Sequence, residues 1–90
     1  MQVLELNQIA PDPSFIYYRR NYAAVARIQL LSKILDIKIS FTIETGPLGD
    51  KMLYVDIAPG EDIDYPIIPI KSAIKTFILN LDNEGKLPCP

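Results

Sequence analysis

The chain has 90 residues, 49% of them hydrophobic and 22% charged, a balance that excludes intrinsic disorder and supplies one hydrophobic core rather than two. It contains no histidine and a single cysteine, Cys89, which excludes His-based triads, His-based zinc sites and an intramolecular disulfide. A net charge of −2 and a pI of about 4.9 argue against a surface built to coat nucleic acid with positive charge.

In chain order, Met1 to Leu6 alternate in the manner of a short strand, and Ala10-Pro11-Asp12-Pro13 is expected to stop it, because proline lacks a donor N–H and restricts its predecessor. Ser14 to Tyr22 is open between strand and helix. Phe15, Ile16, Tyr17, Tyr18 and Tyr22 favour a strand, while Asp12-Pro13 makes a serviceable helix start. Next, Ala24, Ile28, Leu31 and Leu35 fall at helical spacing, and Ala23, Ala26 and Leu30 have high helix propensity, so a helix is predicted over 22–35 with Asn21 as its N-cap.

Ile37, Ile39, Phe41 and Ile43 then alternate with Lys38, Ser40, Thr42 and Glu44, which predicts a strand with one buried face. Gly46, Pro47 and Gly49 supply a turn, and Leu53, Val55 and Ile57 resume the alternation, completing a β-hairpin. Pro59-Gly60 ends it. The acidic run from Glu61 to Asp64 and Tyr65-Pro66-Ile67-Ile68-Pro69 are expected to form an extended connector. A second helix follows from Pro69, with Ile70, Ala73, Ile74, Phe77 and Leu81 on one stripe, Leu79 projecting from its polar side, and Asn83 to Gly85 as its stop.

The expected architecture is a single α+β domain over residues 1–90: a small antiparallel or mixed sheet of three to four strands with two helices on one face, in β-α-β-β-α order. Residues 86–90, around Cys89, are expected to be a frayed tail. The chain opens without a signal-like segment and contains no apolar run long enough for a membrane span. The expectation is therefore a cytoplasmic protein without a membrane partner.

Charge is unevenly placed. Residues 17–38 carry Arg19, Arg20, Arg27, Lys33 and Lys38 against Asp36 alone, whereas residues 44–64 carry six carboxylates against Lys51. Two solvated faces that partly neutralise each other are the ordinary reading of such a dipole. Asp56, Glu61, Asp62 and Asp64 offer hard oxygen ligands, but their spacing matches no calcium loop, and no motif implies a metal or a cofactor. Gly46-Pro47-Leu48-Gly49 is a literal G-x-x-G, and its place between two strands makes it a hairpin loop rather than a clamp for nucleic-acid backbone. Pro66-Ile67-Ile68-Pro69 matches P-x-x-P, but its bulky centre and a helix start at Pro69 argue against a ligand for SH3-type domains.

Two surfaces could bind a partner. Tyr17, Arg19, Arg20 and Arg27 combine rings that stack on bases with guanidinium forks that grip phosphate, so they are candidate ligand-binding residues for RNA or another polyanion. Tyrosines capping the core and arginines paired with the acidic loop are the competing explanation. Val3, Met52 and Tyr54 are expected on the open face of the sheet, and with Leu79 they are candidate contacts for a protein partner or a second copy of the chain. Missing catalytic groups and apolar residues on wet faces favour a non-enzymatic interaction or regulatory module acting by protein–protein contact or homodimerisation, with polyanion binding as the alternative.

Overall fold

Period-two alternation governs the first two thirds of the chain. The computed structural model describes residues 1–12, 18–60, 63 and 66–88. Within them β1 (Gln2–Pro11), β2 (Arg19–Gln29), β3 (Ile34–Thr45) and β4 (Lys51–Ile57) form an antiparallel meander with spatial order β1-β2-β3-β4, followed by one helix, α1 (Ile67–Asn83). Twelve residues of β3, at about 3.4 Å each, account for the long dimension of 42 Å. No helix among the described residues is long and apolar enough to cross a membrane.

The inner face of the sheet carries Tyr22, Ala24, Ala26 and Ile28 from β2, Ile37, Ile39, Phe41 and Ile43 from β3, and Val55 from β4, all buried. Helix α1 lays Ile70, Ile74 and Ile78 onto this face, the i, i+4, i+8 stripe of an amphipathic helix. Its backbone comes nearest to β1 and β4, the two outer strands, so the sheet curls around it. Each fully buried Ile or Phe contributes about 1.5–3 kcal/mol of transfer free energy, and seven of the largest are at the centre: Phe41, Ile28, Ile37, Ile43, Ile70, Ile74 and Ile78. The Tyr22 and Phe41 rings, opposite one another in register, stack with centroids 4.9 Å apart.

The ends of α1 follow from sequence. Pro69 occupies the third helical position, where its missing N–H is one of the donors a helix start leaves unpaired. At the other end Gly85, at φ +69, accepts the left-handed turn that lets Lys86 N–H reach the Leu81 carbonyl and Gly85 N–H the Asp82 carbonyl. Pro66-Ile67-Ile68-Pro69 is therefore a helix entry, and the extended connector expected up to Pro69 ends at Pro66.

The two-helix expectation over β-α-β-β-α is overturned: residues 19–29 are a central strand, and 30–33 a turn. Asn21, expected as an N-cap, lies inside β2. The stretch fits two periods at once. Ala24, Ile28, Leu31 and Leu35 satisfy the helical one, but Tyr22, Ala24, Ala26, Ile28 and Leu30 satisfy the strand one, and it is this second set that is buried, while Leu31 is 98% exposed. Alanine propensity for helix is worth only a few tenths of a kcal/mol per residue over the strand-favouring types here, far less than ladder pairing on both sides of β2.

β1 also runs further than expected, through Pro11, because an edge strand can end on a residue with no donor. Its register shifts twice, between Val3 and Glu5 and between Asn7 and Ala10, and Gln8 in the second bulge takes φ +53, unusual for a residue with a Cβ.

Candidate interaction surface

The basic segment is taken apart by the strand geometry. Tyr17 lies outside the described residues, as do Glu61, Asp62 and Asp64 of the acidic run and Cys89. Arg19 and Arg27 share the outer face of β2, whereas Arg20 has the parity of Tyr22 and points to the helix side. A single anion cannot be gripped by all three.

Arg20 and Arg27 are also engaged. Arg27 donates to Asp36, its cross-strand neighbour on β3, through Nε at 3.0 Å, and to Glu5 on β1 at 3.0 Å, a ladder of charge across three strands. The hydrogen bond from Arg27 and its charge hold the Asp36 carboxyl below the ordinary range, and the same bond raises Arg27. Arg20 donates to Asp82 at the end of α1 at 3.1 Å and to the Tyr22 hydroxyl, which in turn donates to the Pro88 carbonyl. Lys51, entering β4, donates to the other Asp82 oxygen. The Asp82 side chain is 7% exposed. Burial works to raise its carboxyl, but the hydrogen bonds from Lys51 and Arg20 and their charges prevail, and its pKa is lowered. Arg20 is raised although burial opposes it, through the bond to Asp82. These shifts fix charges in place. They also counter the unfavourable position of an acid at a helix C-terminus, and Asp82, sixty-two residues from Arg20, carried no sequence signal of this role.

The candidate protein-contact residues separate as well. Val3 is in the core opposite Ile28, not on the open face as expected, because the bulge at Leu4 puts Val3 and Leu6, three residues apart, on the same inner side. Leu79 is exposed on the flank of α1 remote from the sheet. Met52 and Tyr54 stand on the outer face with Lys38, Ser40 and Thr42, at 50% and 46% exposure, and the Tyr54 hydroxyl donates to the Met52 sulfur at 3.8 Å. Among the described residues no group of three His, Cys, Asp or Glu is placed to hold a metal ion.

Met52 and Tyr54 belong to an edge strand, a fact alternation alone could not supply. Gly46 N–H donates to the Asp50 carbonyl and Ala58 N–H to the Lys38 carbonyl, which fixes the phase of the β3–β4 ladder between them. Even-numbered residues of β4 aim their backbone groups at β3. Lys51, Leu53, Val55 and Ile57 therefore aim theirs away from the sheet.

The sheet and its helix coincide with a recognised sequence unit: one family model matches residues 1–83, from the start of β1 to the last residue of α1. The chain belongs to the BB_0187 family. No curated protein and no solved structure matches it. All four strands, the β4 edge and the Asp82 cluster lie inside the span that defines this family, and only residues 84–90 lie beyond it.

Proposed function

We propose that this family member is a small non-enzymatic interaction module acting through protein–protein contact, in the first place with a second copy of itself. The observation that carries the proposal is the pairing of two half-exposed apolar side chains, Met52 and Tyr54, with an edge strand that contains no proline and no register shift. Exposed, regular edges are what natural sheets normally spoil unless they are used. The acidic composition and lone cysteine fit a cytoplasmic setting.

The polyanion alternative draws less support. Arg20 and Arg27 lie on opposite faces and already hold carboxylates, so a phosphate would have to displace Asp82, or Asp36 and Glu5. Light scattering behind a sizing column at about 100 µM tests the favoured reading, with twice the 10.1 kDa chain mass expected. A single 10.1 kDa species at that concentration counts against self-association.

A further inference from the structure

The two edges of the sheet are not equivalent. β1 shifts register twice, carries Gln8 in a left-handed conformation and ends on Pro11, features that bend an edge away from partners. β4 keeps one register with β3 over all seven of its residues. We infer that β4 is the dimerisation strand of this protein, pairing antiparallel with β4 of a second copy about a two-fold axis through Tyr54, so that two sheets join into one of eight strands. The inference rests on the self-association reading above and specifies its surface and register.

The register follows from phase and charge. Side chains of the two sheets stay on matching faces only if the paired residue numbers sum to an even value. Centring on Tyr54 sets Lys51 opposite Ile57 and Leu53 opposite Val55 of the partner. Every residue whose backbone groups point outward then finds a complementary one. A shift toward the strand start sets Asp50 opposite the partner's Asp56, a like-charge pair. A shift the other way strands Lys51 without a mate.

Charge also favours a copy over an unrelated strand. β4 carries Lys51 at one end and Asp56 near the other, so an antiparallel copy brings unlike ends together. On the outer face the two Tyr54 rings meet at the axis in a non-hydrogen-bonded pair, the closer of the two pair types at about 4.5 Å between Cα atoms, and each Met52 lies beside them. An aromatic pair at such a site supplies contact area that water now covers.

The test is cross-linking in the full chain with Cys89→Ser as background. Tyr54→Cys places two thiols on the axis at a Cα separation suited to a disulfide. Met52→Cys places them about 13 Å apart along the strand, too far to bridge. At about 100 µM under mild oxidation, near-complete covalent dimer from Tyr54→Cys and little from Met52→Cys is the expected result, and Tyr54→Lys should leave the circular dichroism unchanged while shifting the scattering mass toward monomer. A dimer by light scattering that fails to cross-link at position 54 overturns the β4 pairing and leaves self-association standing on another surface. Equal cross-linking of both cysteine variants also overturns it, as random collision. A chain that stays monomeric at 100 µM removes both the pairing and the self-association reading.

Discussion

Replacing Ala26 by leucine separates the strand from the helix that the same residues resemble. On a helix over 22–35, Ala26 would sit off the buried arc of Ala24, Ile28, Leu31 and Leu35, and leucine there would be neutral or mildly favourable. In the sheet Ala26 is fully buried between Leu6 of β1 and Ile37 of β3, facing the side covered by α1. Three added carbons have no space unless those neighbours or the helix give way, a change that costs about 1–3 kcal/mol in a packed core. For a domain of this size each kcal/mol corresponds to about 4–8 °C, so the melting temperature should fall by about 5–20 °C. Ala23→Val is the control: exposed on the outer face opposite Ser40, it should lie within about 0.5 kcal/mol of the parent. Urea unfolding followed by far-UV circular dichroism and tyrosine fluorescence suits a chain with five tyrosines and no tryptophan. An Ala26→Leu variant as stable as the Ala23→Val control would refute the strand assignment of β2.

Two further outcomes follow from local geometry. Gln8→Gly relieves a positive φ that costs a residue with a Cβ about 1–2 kcal/mol, offset by the greater freedom of glycine in the unfolded chain, so a gain of about 0.5 kcal/mol is expected in urea midpoint; a loss would show that Gln8 makes contacts that outweigh its backbone strain. Asp82→Asn removes the carboxylate shared by Arg20 and Lys51 and should lower stability by about 1 kcal/mol at pH 7, a figure already reduced for the partial exposure of both cations. Because the folded state lowers the Asp82 pKa, its contribution is complete above the ordinary carboxylate value of about 3.9 and disappears as pH falls through the lower folded one. Parent and variant should accordingly differ at pH 7 and converge in acid, as judged by melting temperature between pH 2 and 7.

Regular alternation was legible wherever a strand keeps one register. β3 and β4, their hairpin loop and the stripe of α1 could be read directly, because each has a single period and clear polar partners on its other face. β2 resisted because alanine fits either period, and only pairing with two neighbours decides between them. The alternation of Tyr22, Ala24, Ala26, Ile28 and Leu30 was the available signal. Val3 was misplaced for a different reason: a bulge reverses the facing of everything before it and leaves no mark in composition. Of the surface residues, Met52 and Tyr54 were legible on the outer face of their strand, but its position at the rim was a matter of sheet order. The Asp82 cluster joins β2, β4 and α1 across the sequence, and Arg20 read alone resembled a ligand-gripping residue.

The kinks in β1 have a consequence for size. A sheet with two smooth rims can recruit copies without limit and grow into a fibril, whereas one whose far rim is spoiled has a single sticky side. Any joining through the other rim therefore stops at a pair, and the bulges at Leu4 and Gln8 act as chain terminators against polymerisation.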